Sequence, residues 1–446
     1  MIRPGPRAPE DAGRPDTVVS AGAGARPEWT PYAVYTLGFL TLISSFNYLD
    51  RGLLGLALPL IKAQMRVSDT VLGLVSGLAF ALFYSLLGLP IAWLAERWSR
   101  RNIIAIGFAF WSAMTALTAL VANIWQLGLM RFLMGAGEAC GLAPSNSMVS
   151  DLYRESRRPL ALGILGIASS IAYIAFYPII GWVGQTHGWR AMFAVCGVPG
   201  AVLAAGFLLT VREPVRGAAE ARRPSLHVDS LAAMVRFLLG SRAYLLMLAG
   251  AMFMGASAYA GGTWNATFLV RVHHLSLLDV AASLGPMQGL FGGAGILLGG
   301  LLTDLLGRRD ERWRLRVPAI ACLLAGPSEA LFLLGGSRLA WMTGFALTSL
   351  LTLVHQAPVF AVAMSVSKVR MRAVAVSMMV LVASLLGQII GPLLVGMLDD
   401  RLHAVFGDSA VRYSLLLVAA CAVAGGLAFA AAVRFFERDR RRAAAA

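Results

Sequence analysis

Four charged residues stand inside long apolar stretches of the sequence. Asp50 and Arg51 are adjacent in one apolar run, and Arg131 and Glu138 lie seven residues apart in another. A charge at the centre of a membrane-spanning helix costs roughly 2.5–3.5 kcal/mol on insertion scales. Ionisable residues that are kept at such a cost are usually functional.

The residue types and their spacing indicate that protons and an anionic ligand compete for charged side chains near the middle of a membrane. Arg131 and Glu138 are separated by two helical turns, ~10.5 Å along one helix face. Removal from water favours the neutral form of a carboxyl group, whereas arginine stays charged and needs a partner. We therefore predict that Glu138 and Asp50 bind protons, while Arg51 and Arg131 bind an anionic group that protonation releases them to accept.

The alternative interpretation is a permanent salt-bridge cluster that only pins two helices together. It is disfavoured because buried ion pairs stabilise a protein weakly compared with apolar packing. For Asp50 and Arg131 both roles stay open, since one of them would suffice to hold the other.

Three further polar residues are candidates for the same binding site. Asn47 and Tyr48 precede Asp50 on the same predicted helix. His355 is the only histidine within an apolar stretch, and it suits a proton relay or a headgroup contact. A buried neutral histidine that is hydrogen-bonded to a neighbouring helix is the alternative for His355.

The composition requires elements that cross a membrane. Of the 446 residues 58% are hydrophobic and 14% are charged, with a mean hydropathy of +0.71. A soluble domain has about a quarter of its residues charged. The apolar segments are continuous rather than alternating, which favours helices over a β-barrel. The sequence predicts an all-α integral membrane protein with about twelve transmembrane helices of ~20 residues or more.

These helices divide into two bundles of six. The predicted organisation, in chain order, is a disordered tail over 1–30, a bundle over 31–211, a linker with an amphipathic helix over 212–242, a second bundle over 243–436 and a basic tail over 437–446.

The positive charge of the chain, +15, is distributed in a topological pattern. Basic residues cluster in alternate gaps between apolar segments, which is the positive-inside pattern. We therefore predict a multi-pass protein of the inner (plasma) membrane with both termini in the cytoplasm, and no nucleic-acid partner. The clustered residues are Arg97, Arg100, Arg101, Arg154, Arg157, Arg158, Arg308, Arg309, Arg312, Arg314, Arg316, Lys368, Arg370 and Arg372.

The two halves carry similar loops. "AWLAERWSRR", from Ala92, and "GLLTDLLGRR", from Gly300, share the positions of an acid and of two arginines, so that Glu96 matches Asp304 at an offset of 208. Unrelated basic loops would not share this spacing. The pattern indicates a duplication in parallel orientation, whose two halves can rock about a central cavity.

This loop pattern resembles the signature of the major facilitator superfamily. The stretches "FNYLDR" (46–51), "FWSA" (110–113) and "RFLMGAGEACGLAPSNSMVSDLY" (131–153) resemble its Spinster-type branch. That branch moves lysophospholipids and lipids similar to sphingosine-1-phosphate. The resemblance implies two pseudo-symmetric bundles that expose a central site first to one side of the membrane and then to the other.

The duplication, the charges at helix ends and the resemblance together predict where other residues act. The second half, which has no charges at the equivalent positions, is expected to supply an apolar wall. Glu329, in the predicted ninth helix, is expected to snorkel or hydrogen-bond locally at the periphery. A cytoplasmic gate between the halves is expected from Glu96, Arg97, Arg100, Arg101, Asp304, Asp151 and Arg158.

The predicted function is secondary active transport of an amphipathic anion, with a lysolipid as the leading candidate, coupled to protons. The alternatives are a small organic anion such as a sugar acid, a hydrophobic drug exported against protons, or a membrane sensor that transports nothing. No motif indicates an enzyme. We expect a monomer with the lipid bilayer, protons and the substrate as its partners. Because the four cysteines lie in apolar segments, we expect no cofactor and no metal site.

Overall fold

The computed structural model describes residues 29–215, 230–368 and 371–445. Most of the predicted tail over 1–30, part of the predicted linker, and Arg370 of the clustered basic residues lie outside these ranges. The described residues contain helices and no β-strand. The α-helices are α1 (Pro31–Met65), α2 (Asp69–Leu74), α3 (Phe80–Arg97), α4 (Arg100–Thr118), α5 (Ile124–Glu138), α6 (Leu142–Leu152), α7 (Arg158–Gly166), α8 (Ala168–Ile171), α9 (Tyr177–Thr210), α10 (Leu231–Leu239), α11 (Arg242–Val272), α12 (Leu277–Gly307), α13 (Trp313–Leu334), α14 (Arg338–Val354), α15 (Gln356–Ser365), α16 (Arg372–Phe406), α17 (Ala410–Ser414) and α18 (Leu416–Ala444).

The long helices follow the apolar stretches of the sequence. Seven helical stretches within the described residues are long and apolar enough to cross a membrane. Two of them, Arg158–Thr210 with 53 residues and Val374–Ala444 with 71 residues, are longer than one crossing needs. The all-helical membrane fold is confirmed, whereas the count of twelve crossings stays a prediction.

The outer surface of the helices is apolar. Trp125, Leu209 and Leu297 are each at least 75% exposed, although water would disfavour such a surface. Lipid tails solvate these side chains instead, which is what the hydropathy of the sequence indicates.

The two halves of the chain meet through parallel and antiparallel helix pairs. Across the halves, α1 packs against α11, α2 against α16, and α9 against α12. We call the end of the molecule with Pro31 and Ala444 the terminal end, and the end with Met65 and Val272 the far end. The closest approaches between the halves lie towards the far end.

Two glycines show how close that approach is. A Cβ atom added at Gly55 would lie 2.3 Å from the backbone oxygen of Gly262, and one added at Gly77 would lie 2.2 Å from that of Gln388. Real Cβ atoms do not approach backbone oxygens so closely. Only glycine permits these two helix pairs to contact through their backbones.

Several helices are interrupted near the middle of the molecule. Wider π-helical turns occupy Val75–Ala79, before α3, and Ala172–Phe176, before α9. Another interruption, at His355, separates α14 from α15. Such irregular turns are common at functional sites because they change which side chains face a cavity.

The end of α18 packs against the start of the second half. The carboxylate of Asp439 accepts hydrogen bonds from the hydroxyl of Ser241 and the backbone N–H of Ala243, both at 2.8 Å. The guanidinium of Arg442 lies 4.7 Å from the ring centroid of Phe237 in α10. The basic segment over 437–444 is thus a docked helix end.

Candidate functional site

The first part of the candidate site is a small cavity within the first half. Its volume is about 70 Å³, and its lining includes four of the residues expected there. We call it the first-half cavity. Its polar and aromatic lining residues are Ser44, Asn47, Tyr48, Arg51, Tyr84, Trp111, Glu138 and Ser145.

Glu138 connects α5 to α1 through one carboxylate oxygen. Its Oε2 accepts a hydrogen bond from Arg51 Nε at 3.0 Å and another from Asn47 Nδ2 at 2.8 Å. Its Oε1 is buried and has no hydrogen-bond partner among the described residues. One acid therefore holds two of the side chains predicted to bind substrate, and it keeps a free oxygen that can accept a proton.

Arg51 is held in place by aromatic rings as well as by Glu138. Its guanidinium carbon lies 4.9 Å from the ring centroid of Tyr84 and 5.4 Å from that of Phe80. The Arg51 side chain is 22% exposed, so the guanidinium is accessible from the cavity. Stacking of this kind keeps an arginine charged and oriented without consuming its hydrogen-bond donors.

Asp50 and Arg131 lie beside this pair without joining it. Both are 2% exposed. Asp50 Oδ2 accepts a hydrogen bond from the hydroxyl of Thr115 at 3.4 Å, and the guanidinium of Arg131 lies 5.0 Å from the ring centroid of Phe80. Within the described part of the chain neither residue forms an ion pair, and Asp50 Oδ1 and Arg131 Nε have no hydrogen-bond partner.

The second part of the site is a larger cavity between the two halves. Its volume is about 160 Å³, and we call it the central cavity. Gly52, Tyr173 and Tyr177 line it from the first half. The second half contributes Asn265, Gln288, Glu329, Phe345, Thr348, Ser349, His355 and Val418, among others.

The second half is not the apolar wall that the sequence suggested. The expectation that Glu329 lies at the periphery is wrong, because Glu329 is 1% exposed and lines the central cavity. Neither of its carboxylate oxygens has a hydrogen-bond partner among the described residues. The position of Glu329 was not predictable from sequence, because contacts with α14 and α18 set the rotation of α13 about its axis.

His355 lines the central cavity at the interruption between α14 and α15. Its Nδ1 lies 2.5 Å from the backbone oxygen of Thr352, and its ring stacks against Phe429 with centroids 5.8 Å apart. The hydrogen bond is therefore made within its own chain segment rather than to a neighbouring helix. It fixes Nδ1 as the donor and leaves Nε2 to face other groups.

A cluster of five charged residues joins the two halves at the far end, and sequence reasoning missed it. Arg271 of the second half donates to Asp69 of the first half at 2.8 Å and to Asp399 at 2.8 Å. Lys62 also pairs with Asp69. We call Lys62, Asp69, Arg271, Asp399 and Asp400 the far-end cluster. In sequence these residues look like ordinary solvated charges at helix ends, so only their convergence across the halves distinguishes them.

The far-end cluster includes a helix cap supplied by the opposite half. The two oxygens of Asp400 accept hydrogen bonds from the backbone N–H groups of Asp69 at 2.9 Å and Thr70 at 2.8 Å. These N–H groups stand at the N-terminus of α2, where they lack partners within the helix. The second half thereby provides the hydrogen-bond acceptors for the N-terminal N–H groups of a helix in the first half.

The predicted gate residues at the terminal end are held within the first half. Arg100 pairs with Asp151 at 2.5 Å and with Glu213 at 2.8 Å. Burial opposes the charge of Glu213, but hydrogen bonds from the Arg101 backbone and from Arg100 and Ser99 hold the pKa of Glu213 below its usual range. Glu213 was not among the predicted gate residues.

The other predicted gate residues are not brought together. Glu96 and Asp304 are exposed, on different halves. Arg97 packs over the ring of Trp93 at 3.8 Å, and Arg158 donates to the backbone oxygen of Ser150 at 2.8 Å. Among the described residues, the ion pairs that join the two halves lie at the far end. Among the described residues no cluster of histidine, cysteine or acidic residues suits a metal ion.

Comparison with known proteins agrees with this architecture. Residues 40–392 match the family model of the Major Facilitator Superfamily. The chain belongs to the Major Facilitator Superfamily. It is 31% identical over 417 residues to an MFS-type efflux pump of Mycolicibacterium smegmatis, covering 93% of this chain and 95% of that protein. It is 27% identical over 433 residues to a sphingosine-1-phosphate transporter of Danio rerio, covering 91% of this chain and 85% of that one.

A solved structure extends the similarity to three dimensions. A bacterial homologue of the human lysosomal transporter Spinster, in an inward-facing and unoccupied conformation, superimposes with a TM-score of 0.80 at 26% identity. The match covers 92% of this chain and 99% of that one. The Spinster-type resemblance of the sequence is confirmed. The chain is a multi-pass membrane transporter and not an enzyme.

Proposed function

We propose that this transporter moves an amphipathic anion, most favourably a lysolipid, by proton-coupled alternating access. The observation that carries the proposal is the sharing of Glu138 Oε2 between Arg51 and Asn47 in the first-half cavity. Both donors depend on the negative charge of one carboxylate. A proton on Glu138 removes that charge and leaves the Arg51 guanidinium available to a phosphate or carboxylate group.

Arg51 keeps a negatively charged partner throughout the proposed exchange of substrate for carboxylate. When the substrate anion leaves, Arg51 needs another counter-charge, and deprotonated Glu138 supplies it at 3.0 Å. A buried arginine without a partner is strongly disfavoured. Proton binding to Glu138 and anion binding to Arg51 therefore favour each other, which is the coupling that a proton-driven carrier needs. Asp50 is proposed as a second proton-binding group next to Arg131.

The far-end cluster supports the alternating-access part of the proposal. It joins the two halves at one end, whereas the ion pairs described at the other end each lie within one half. In the opposite state the far-end cluster would separate and the gate residues would pair. We place both termini in the cytoplasm of a plasma membrane because the arginine-rich loops lie at the terminal end. In that orientation the far-end cluster joins the two halves on the outer side of the membrane.

The substrate class rests on the site and on the relatives together. Arg51 suits a phosphate-bearing headgroup, and the sphingosine-1-phosphate transporter of Danio rerio is named for a lipid of that kind. The second candidate is a hydrophobic drug exported against protons, and the efflux pump of Mycolicibacterium smegmatis supports the export part of it. Uptake assays with a lysophospholipid, a sugar acid and a hydrophobic drug would separate these candidates, and we expect the lysophospholipid to be moved.

Reconstituted proteoliposomes test the proton coupling. Glutamine at position 138 keeps the shape and hydrogen-bonding capacity of glutamate but cannot titrate. We expect Glu138→Gln to abolish the dependence of lysophospholipid uptake on the pH gradient. Glu155→Gln, at an exposed glutamate of the same half, should retain it. Undiminished pH-dependent uptake by Glu138→Gln would refute the assignment.

A further inference from the structure

The central cavity contains an acid that the proton-coupling scheme does not use. Glu329 on α13 is 1% exposed, and its two carboxylate oxygens have no hydrogen-bond partner among the described residues. The hydroxyl of Thr348 on α14 lies beside it and is also without a partner there. Buried polar groups are almost always satisfied in folded proteins. Thr348 can satisfy at most one of the two carboxylate oxygens, so this buried acid has room for a ligand that donates to it.

The surroundings of Glu329 are rich in acceptors and poor in cations. The residues that line the central cavity include no lysine and no arginine. Asn265 contributes a side-chain oxygen that lacks a partner within the described residues, and the hydroxyl of Ser349 is already bonded to Gln288 at 3.1 Å. Two carboxylate oxygens and one amide oxygen accept hydrogen bonds, and the carboxylate is negatively charged. A ligand that donates hydrogen bonds and carries positive charge therefore suits this cavity.

The remaining walls decide which kind of cation fits. Tyr177, Leu284, Phe345 and Val418 line the same cavity with aromatic and aliphatic surface. A hydrated metal ion would not be favoured against such walls, whereas an organic cation buries its hydrocarbon part there. The cavity volume of about 160 Å³ is large enough for an ammonium group with a short alkyl chain.

We propose that Glu329 forms a subsite for the protonated amine of a substrate in the second half of the transporter. The ammonium group donates hydrogen bonds to Glu329 and to the oxygens around it, and the attached hydrocarbon lies against the aromatic and aliphatic walls. The inference rests on the proposed transport function. It adds that the substrate carries an amine.

The position of the subsite relative to Arg51 extends the inference. Gly52 lines the central cavity, and its neighbour Arg51 lines the first-half cavity. Both cavities thus flank the same turn of α1. A substrate with an amine and an acidic group would meet a carboxylate from the second half and a guanidinium from the first. Its binding would draw the two halves together.

Equilibrium binding of simple amphiphiles to the purified protein tests the subsite. The probes are octylammonium, which has three N–H donors, octyltrimethylammonium, which has the charge without donors, and octanol, which is neutral. We expect the wild-type protein to bind octylammonium most tightly. Glu329→Gln should weaken octylammonium binding at least tenfold and leave octanol binding unchanged, whereas Glu155→Gln should behave as the wild type.

Two controls keep the outcome decisive. Glu329→Asp retains the charge and should recover part of the octylammonium affinity, which a folding defect would not allow. Equal octylammonium affinity in wild type and Glu329→Gln would overturn the proposal. No octylammonium binding by the wild type would also overturn it, and a change in pH dependence of uptake in Glu329→Gln would then identify the proton as the occupant. Neither result depends on coupling at Glu138, so the two proposals fail independently.

Discussion

At the scale of single residues, Arg51 combines a carboxylate partner with two aromatic neighbours. The ion pair to Glu138 fixes its Nε, while Tyr84 and Phe80 support the plane of the guanidinium. A lysine at this position would keep the charge but would lose the planar fork and much of the stacking. The geometry of Arg51, as well as its charge, is therefore expected to determine how the substrate anion is bound.

Arg51→Lys should weaken binding of a lysophospholipid by about tenfold, equivalent to about 1.4 kcal/mol. The reason is the loss of a bidentate, charge-assisted contact to the headgroup. Ligand-induced thermal shifts of the purified variant measure the change. Arg154→Lys, at an exposed arginine of the same half, should bind as the wild type does. An affinity of Arg51→Lys equal to that of the wild type would exclude a headgroup contact at Arg51.

The sequence predicted some residues of the site better than others, for a physical reason. Asp50, Arg51, Arg131 and Glu138 are conspicuous because charge within an apolar run is costly, and the structure places all four close together. Which of them pair was not predictable, since the partner depends on how α1, α4 and α5 are rotated about their axes. Glu329 was misjudged for the same reason.

At the scale of helices, α2 depends on the opposite half for its N-terminus. Asp400 of α16 accepts hydrogen bonds from the N–H groups of Asp69 and Thr70. Ser68, in the same half as α2, accepts a hydrogen bond from the N–H of Val71. A carboxylate at this position also meets the positive end of the helix dipole. Separation of the two halves at the far end would leave these groups to water. The cap consequently contributes to the balance between the two conformations.

Asp400→Ala should shift that balance towards opening of the far end. The loss of a helix cap costs about 1 kcal/mol, and this corresponds to about a fivefold change in the ratio of the two states. Spin labels at Leu120 and Val405, both well exposed, would report a longer distance in a larger share of molecules.

The matched control for this experiment is Asp408→Ala, at an exposed acid near the same end. It should leave the distribution of distances unchanged. If Asp400→Ala and Asp408→Ala give the same distribution as the unaltered chain, the cap has no part in closure.

The helices themselves were largely predictable, while their interruptions were not. Apolar runs of sufficient length located each long helix, because a helix in lipid satisfies its own backbone groups. The π-helical turn Ala172–Phe176 has no distinctive composition, although it directs Tyr173 into the central cavity. Its position follows from close packing against α12, where Gly285 and Gly289 admit the backbone of the first half.

At the scale of the whole molecule, contact through glycines determines how tightly the far end can close. Gly77 allows the first half to approach the backbone of Gln388 without a side chain between them. The contact area at this end has to be gained and lost in each transport cycle. A side chain placed at Gly77 would clash only in the state in which the two halves are in contact at this end.

Gly77→Ala should therefore disfavour the closed far end. The added Cβ would lie 2.2 Å from the oxygen of Gln388, so the halves have to separate or the helix has to shift. We expect the distance between labels at Leu120 and Val405 to lengthen and the rate of uptake to fall. Gly88→Ala, where an added Cβ meets nothing within 4 Å, should alter neither. Similar distances in both variants would show that backbone contact at Gly77 is not required for closure.

The docked end of α18 has a practical consequence for anyone who handles this protein. Asp439 caps the first turn of α11 through Ser241 and Ala243, so a clone shortened after Phe436 would lose an anchor of the second bundle. A purification handle fused directly behind Ala444 would crowd the same anchor. Handles and fluorescent fusions therefore belong ahead of Trp29, or behind a generous spacer at the other terminus.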